Sequence, residues 1–533
     1  MYYINIRFYV KIKIYKNGKE LCILYTVTIG LHTQKHEIDL YNYKLEIARK
    51  MYNILVSKCI KRLSALRQDK KYLSAVKEYR KIKNSTKEEN IARVKELKTI
   101  MNERIDFFKL RKADLESYLD NDKNQYKKNL GSPSRQKIAL RVYNSLEKVL
   151  YSNGKKLHFK KFGELLSIEG KTNASDIRLV NNKFQYGRQL PVELKIKKQD
   201  LFNQEVLDYI EQGKAKISFC RLVKRYIKGT EKFYLQLIIK GEIPPKRNLD
   251  GSYRHKATPI GERIGIDPGT STIAVSSNNG LILKELAPEI KKYNNEIVYL
   301  SKKLENSRRL SNPNNFNEDG TAKRSTKSNK ITWIRSKNYM RILYKLKDAY
   351  RRKSVYIKES HSSLANEILS LGDNIYLEDM NYKALAKKST TPTEYNEKTK
   401  KCKRKKRFGK SIVDRAPSLF LTILDNKLKF EGEKLRKVNT KTFKASQYNH
   451  IDDKYTKVPL SKRVKKIEDK LIQRDLYSAF LIMNSNKNLK TTNRTLCKMN
   501  FEKFLKQHNE LIGEMINDNK KYPKSFGLEK LLD

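Results

Sequence analysis

Three carboxylates stand at the ends or inside of otherwise apolar elements. Asp267 closes the run IGID (264–267), Glu378 closes NIYLE (374–378), and Asp475 lies within QRDLYSAFLI (473–482). If Ile264 and Ile266 face a core, Gly265 and Asp267 face the other side of their strand. Glu378 lies opposite Ile375 and Leu377 for the same reason. Asp475 falls inside a stripe of Ile467, Leu471, Ala479 and Ile482 at helical spacing. A carboxylate on a core-facing position is costly unless it is paired or bound to metal. Three of them converging from two strand ends and a helix would repel one another. Divalent cations cancel that repulsion, and oxygen-only ligands suit Mg²⁺ or Mn²⁺. Two such ions about 3.5–4 Å apart would polarise a phosphate, activate water and stabilise the leaving oxygen. The implied chemistry is metal-dependent hydrolysis of a phosphodiester, with Asp267, Glu378 and Asp475 both catalytic and metal-ligating. Each residue also has an ordinary reading. Asp267-Pro268-Gly269 is a common turn, Glu378-Asp379 is an acceptable solvated strand end, and Asp475 has Arg474 beside it as an ion-pair partner.

Those side chains need a sheet and a helix to hold them. IGID is a short strand turned by Pro-Gly-Thr-Ser. TIAVSS (272–277) returns, Asn278-Asn279-Gly280 turns again, and LILK (281–284) makes a third strand. Helical stretches near 288–305 and 335–370 flank a polar loop. The strand 374–378 follows, then a strand at EKLRKVN (433–439) and a helix from about 461 to 484. A three-strand meander, a helical crossover and a fourth strand parallel to the first is the order of an RNase H-like sheet. GIDPGTSTIAV also matches the Asp-x-Gly-Thr hairpin of actin-like ATPases. That class needs a second Asp-Gly phosphate loop and a Gly-Gly adenosine turn, and neither has a convincing candidate here.

The N-terminal half reads differently. Ile6, Phe8, Val10, Ile12 and Ile14 alternate with polar positions, which predicts a half-buried strand. Asn17-Gly18 turns it, and LCILYTVTIG (21–30) returns. From about residue 38 the period becomes helical, through Ile47, Met51, Ile54 and Leu55. Ser85-Thr86-Lys87-Glu88 has the pattern of a capping box, and Gly131-Ser132-Pro133 breaks the run before Ile138, Val142, Leu146 and Leu150. Strand signals return after Gly154, ending with Phe233, Leu235, Leu237 and Ile239 beyond the turn Lys228-Gly229-Thr230. One β domain built from both sides of a helical insertion is the economical reading.

Composition narrows the partner. The 533 residues include 116 Lys plus Arg against 58 Asp plus Glu, a formal net charge of +58. Such a chain is hard to keep compact without a polyanion, and a nucleic acid fits best. Five cysteines, odd in number and scattered, give no disulfide framework and no CxxC. The N-terminus has no signal-peptide core, because Arg7, Lys11 and Lys13 interrupt it. No stretch approaches the eighteen apolar residues of a spanning helix. The expected setting is the reducing interior of a cell and not a membrane.

IGIDPGTSTIAVSS, NIYLEDMNYKAL and QRDLYSAFLI resemble the first, second and third RuvC motifs of TnpB, the RNA-guided nuclease of insertion sequences, related to miniature type V CRISPR effectors. KKRFGKSIVDRAPSLFLTILDNKL (405–428) resembles that family too, and the likeness is greatest to the serine-recombinase and group I intron element type. The resemblance implies a multidomain α+β chain: a β-barrel-like wedge domain in two parts (1–37 and 153–262 with a linker), a helical recognition lobe between them (38–152), a mixed α/β RuvC domain (263–484) and a C-terminal tail (485–533). It carries the family's catalytic triad onto Asp267, Glu378 and Asp475. It also implies a guide RNA from the same element, double-stranded target DNA read next to a short flanking motif, and a bacterial cytoplasmic, nucleoid-associated setting; one chain or two stays open, with a monomer favoured. The family usually carries a four-Cys zinc ribbon before the last motif. Here that place (443–464) has no Cys, and His450 alone cannot hold structural zinc. No zinc is expected, and Lys462 and Arg463 are candidates to replace the ribbon against nucleic acid. Lys403, Arg404, Lys405, Lys406 and Arg407, in a run of seven basic residues among Lys401–Lys410, are further candidates. So are Arg335 and Lys337, just after the polar loop, where Trp333 is expected to be core. Two alternatives stay open: a nuclease-inactive RNA-guided repressor, and an unguided RuvC-like junction resolvase.

Overall fold

A computed structural model describes residues 15–531, apart from 17–18, 21–23, 86–87, 123, 153, 253–257, 327–329, 388–391, 397–400, 405–407, 431, 460 and 519. The alternating run 6–14 lies outside the described residues, as does the centre of the Ser85–Glu88 capping signal. The chain divides into two compact units, one over Leu21–Tyr253 and the other over Arg254–Asp533 together with the residues up to Glu20.

The first unit is a seven-stranded antiparallel sheet with a helical insertion. Its order is Ser167–Glu169, Ala215–Ile227, Thr230–Gly241, Leu24–Leu31, Val192–Lys195, Lys183–Tyr186 and Ile177–Val180. The long pair Ala215–Ile227 and Thr230–Gly241 is joined at Lys228-Gly229, both with positive φ. The sheet nearly closes. Asn173 donates to the Leu179 carbonyl, accepts from its N–H, and accepts from the thiol of Cys220 in Ala215–Ile227, the strand next to the other edge. Val27, Ile29 and Leu31 alternate inward as the period-2 pattern requires. They share one core with the helix Lys35–Leu66, whose Tyr41, Leu45, Ala48, Met51, Leu55 and Cys59 form its buried stripe. Gln34 and Glu37 form the start signal of this helix, the Gln34 N–H donating to the Glu37 carboxylate at 2.6 Å. The strands between residues 177 and 195 and the helix Leu201–Glu211 have weak sequence signals. The first depends on a tight turn, Asn181-Asn182, with both residues at positive φ.

The second unit is built on a five-stranded sheet ordered Gly280–Glu285, Thr272–Ser277, Arg263–Pro268, Asn374–Glu378 and Arg436–Val438. The first three strands are an antiparallel meander. Asn374–Glu378 runs parallel to Arg263–Pro268, and Arg436–Val438 runs parallel to it in turn. The crossover is a pair of long helices, Ile290–Leu310 and Lys337–Leu369. One face of the sheet (Ile264, Ile266, Ile273, Val275, Ile375, Leu377) packs on Leu364, Ala365 and Ile368 and on Phe420, Leu424 and Leu428 of the helix Pro417–Phe430. The other face (Ala274, Leu283, Val438) packs on the helices Arg474–Met483 and Arg494–Asn517. Residues 485–533, expected as a tail, thus contribute a 24-residue helix to the core.

The helix expected from 461 to 484 is shorter. Val464–Ile467 and Lys470–Gln473 form a β-hairpin, turned at Glu468 with φ +52°, and the helix begins at Arg474. Val464, Ile467 and Ile472 face inward and Leu471 is exposed, so this apolar spacing served a hairpin as well as a helix. Residues 443–464 hold two short strands, Tyr448–Asn449 and Lys454–Tyr455. His450, between them, is fully buried. Its Nδ1 is 2.7 Å from the Tyr477 hydroxyl, and its ring packs edge-on against Phe501. Burial, then the charges of Arg494, Lys465 and Lys498, push its pKa down to about 4. No helix among the described residues is long and apolar enough to cross a membrane.

Candidate active site

The two strand carboxylates are placed by register. Ile266 pairs with Leu377 in the parallel ladder, so the next residues, Asp267 and Glu378, leave adjacent strands side by side. Adjacent strands lie about 5 Å apart. Both residues are half-buried on the face opposite Ile266 and Leu377, as the alternation predicts.

The helix carboxylate is brought in by a glycine. A Cβ on Gly265 would lie 2.0 Å from the carbonyl oxygen of Ala479 and 2.3 Å from the backbone nitrogen of Met483. The backbone of the helix Arg474–Met483 therefore rests directly on the strand two residues before Asp267. Ala479, fully buried, is the small residue on the helix side. Asp475 sits in the first turn of that helix, not mid-stripe as the longer helix implied. Gln473 caps the turn, its side-chain oxygen accepting from the Leu476 N–H at 2.6 Å. The positive end of the helix dipole favours a carboxylate there.

Asp267 feels the other two carboxylates. Burial, then the charges of Asp475 and Glu378, hold the Asp267 carboxyl well above the ordinary carboxylate range, and Arg474 and Arg463 partly oppose this. Burial also raises Glu378. Tyr382, buried just after the second strand, points its hydroxyl at the carbonyls of Pro268 (3.3 Å) and Gly269 (3.4 Å). Ser411 donates to the next carbonyl, Thr270, at 3.2 Å. Two hydroxyls thus hold the turn that follows Asp267.

Asp475 is held by two arginines. Arg463 Nη1 lies 3.4 Å from one carboxylate oxygen and Arg474 Nη2 lies 3.3 Å from the other. Arg474 is buried and also donates to the carbonyls of Lys462 and Pro459. The ordinary reading of Asp475 as a partner of Arg474 is therefore realised, with Arg463 added. The donor chemistry is oxygen-only and suits a hard divalent cation. Among the described residues, however, no group of three or more His, Cys, Asp or Glu side chains is drawn together tightly enough to hold a metal ion. Arg463 and Arg474 occupy both oxygens of Asp475.

The other candidates fall in three places. Arg463 is at the carboxylates, and Lys462 is exposed beside it with its carbonyl bound by Arg474. Lys403 and Arg404 lie in a strand, Lys401–Arg404, paired with Pro392–Asn396, whereas Lys405, Lys406 and Arg407 lie outside the described residues. Arg335 and Lys337 are exposed at the start of a 33-residue helix about 50 Å long. That end packs on the helix Ile290–Leu310 and not on the sheet, so the structure does not bring these two to the triad. Trp333 is half-buried, edge-on to Phe316 and under the guanidinium of Arg308 at 4.8 Å. Tyr382, Ser411 and Arg474 lie within the segments likened to the family, but residue type and spacing did not mark them as site residues; only the adjacency of Arg474 to Asp475 was visible.

No family model matches the chain, and no curated protein does. Among solved structures, the chain is similar to one described as a cryo-EM structure of the Cas12f1–sgRNA–target DNA complex, at 13% identity and a TM-score of 0.39, over 87% of this chain and 99% of that one. Another, a cryo-EM structure of a CRISPR–Cas12f ternary complex, is similar at 13% identity and a TM-score of 0.23, over 85% of this chain and 82% of that one.

Proposed function

We propose that the chain is an RNA-guided DNA endonuclease of a mobile element, with an RNase H-like, RuvC-type site at Asp267, Glu378 and Asp475. One observation carries the hydrolytic part: two carboxylates in register on adjacent parallel strands, and a third at the start of a helix seated on Gly265. The sheet order, with its antiparallel meander and parallel fourth strand, is that of RNase H-like nucleases. The RNA-guided part rests on the likeness of the three motifs to TnpB and on the charge of +58.

Asp267, Glu378 and Asp475 would hold Mg²⁺ or Mn²⁺, which supplies phosphate polarisation and an activated water when bound. Zinc has no part in the proposal. The protein's own share is placement. The register fixes Asp267 beside Glu378, Tyr382 and Ser411 hold the turn after Asp267, and Gly265 sets the height of Asp475. Arg463 is only half-buried, so solvent and ligands can reach it. A DNA phosphate arriving at the carboxylates is a competing partner for its guanidinium. Moving to that phosphate, Arg463 would release one oxygen of Asp475 and neutralise the substrate.

The test is to sequence RNA that co-purifies with the protein, then assay cleavage of a matching duplex with Mg²⁺. A discrete structured RNA ending in a variable segment is expected. Cleavage should follow that segment and vanish in Asp267→Ala with RNA binding intact. Recovery of no defined RNA overturns guidance, and cleavage surviving in Asp267→Ala overturns the site.

A further inference from the structure

Unit Leu21–Tyr253 contains a loop whose side chains contradict its rigidity unless they serve a ligand. Leu157 and Leu165, both about nine-tenths or more buried, pin its two ends in the core. Between them the sequence is HFKKFGE (158–164). Its centre is fastened to the helix Lys35–Leu66 at one residue. Asn53 donates to the Lys160 carbonyl at 2.9 Å and accepts from the Lys160 N–H at 2.8 Å, and Arg49 donates to the same carbonyl at 3.0 Å. Arg49 is itself held by Glu46 through both of its other nitrogens. Glu164 closes the loop by accepting from the Lys161 N–H at 2.8 Å. With its backbone so fixed, the loop leaves Phe159 at 53% and Phe162 at 58% exposure. Lys155, Lys156, His158 and Lys161 around them are exposed as well.

We infer that this loop is a stacking platform for unpaired nucleotides of a single nucleic-acid strand. Two exposed rings on a fixed backbone offer π-faces at little entropic cost, and the surrounding lysines track phosphates, which is how sequence-tolerant single-strand sites are built. The only acid in the loop is Glu164, and its carboxylate is engaged by the loop backbone. The patch is therefore cationic and favours a polyanion. A duplex buries its base faces, whereas a single strand presents them. This site lies outside the nuclease triad and stands whether or not the chain cuts DNA.

The test uses the full-length protein and an unstructured RNA strand with a central 2-aminopurine, a DNA strand of the same sequence, and a strand with abasic sites in place of the central bases. Fluorescence quenching reads stacking, and anisotropy reads binding. The wild type should quench the base-containing strands and bind the abasic strand more weakly. In Phe159→Ala/Phe162→Ala the quenching should disappear, and affinity for the base-containing strand should fall roughly tenfold or more, with the salt dependence unchanged. Phe159→Tyr/Phe162→Tyr should retain both. Phe159→Leu/Phe162→Leu, which keeps apolar bulk without a ring, should behave as the alanine variant, so loss of stacking is told from loss of folding. Quenching of RNA alone assigns a strand with 2′-hydroxyls, and quenching of both assigns single strands generally. Undiminished quenching in the leucine variant overturns the inference. So does the outcome in which the variants lose only flotation with phosphatidylserine vesicles, which would make the loop a membrane contact.

Discussion

At the scale of single residues, the site is an electrostatic conflict restrained by hydroxyls and arginines. Asp267 has its carboxyl raised by burial and by two neighbouring carboxylates. In the unfolded chain it titrates near the ordinary value of about 3.9. Below that pH it is protonated in both states and its contribution to stability is fully present. As pH rises through the folded value, the unfolded state ionises more readily and that stability is lost. Without divalent cations, Asp267→Asn should therefore melt higher than the wild type at pH 7, and the difference should shrink towards pH 4. Parallel melting profiles for the two proteins would remove the conflict from Asp267. Tyr382→Phe deletes only the hydroxyl that reaches the Pro268 and Gly269 carbonyls. A cost of about 1 kcal/mol in urea denaturation is expected. Single-turnover cleavage should slow by more than that loss of folded protein explains, and an unchanged rate would leave Tyr382 a purely structural residue.

At the scale of elements, the decisive contact is a helix backbone laid on a glycine. Gly265→Ala puts a methyl group where the Ala479 carbonyl now lies, 2.0 Å from the ideal Cβ, and backbone cannot rotate away as a side chain can. The helix must lift, carrying Asp475 with it. Destabilisation of roughly 3 kcal/mol is expected from chemical denaturation, with cleavage lost even in protein shown to be folded. Cleavage at wild-type rates would mean that the height of this helix does not set Asp475. The glycine, and the faces of Asp267 and Glu378, were legible in the sequence because period-2 alternation in IGID and NIYLE fixes which residues share a side. The start of the helix was not. VKKIEDKLIQ places apolar residues at 464, 467, 471 and 472, a spacing that fits one helical face or a hairpin with one edge exposed. What decides is tertiary: Ile467 and Ile472 enter the core that also holds Phe501 and Phe504 from the C-terminal helix. Tyr382 was invisible as a site residue for a related reason, and Arg463 was marked only as a nucleic-acid candidate and not as a partner of Asp475. Arg463 reaches Asp475 from 12 residues before it, and Tyr382 reaches the carbonyls after Asp267 from 4 residues after Glu378, through side chains that carry no periodic signal.

At the scale of the whole molecule, the charge of +58 sets a sign that can be measured. The ion pairs between described residues neutralise bases locally, at Glu78 with Arg93 or Asp120 with Arg135, but acids are outnumbered two to one. The excess repels itself across each compact unit, and salt screens that repulsion over a Debye length of about 10 Å at 0.1 M. Protein stripped of nucleic acid should therefore gain thermal stability between 0.05 and about 0.5 M NaCl, by several degrees in Tm. Bound RNA reverses the sign. Its phosphates neutralise the excess and release counterions on binding, so added salt weakens the complex. Since a ligand that binds only the folded state raises Tm by mass action, the complex should melt highest at low salt and lose that advantage as salt increases. The two melting curves, plotted against salt, should converge. Melting that falls with salt in the stripped protein would show that its basic residues are already balanced within the fold, and would remove the charge as an argument for a resident polyanion.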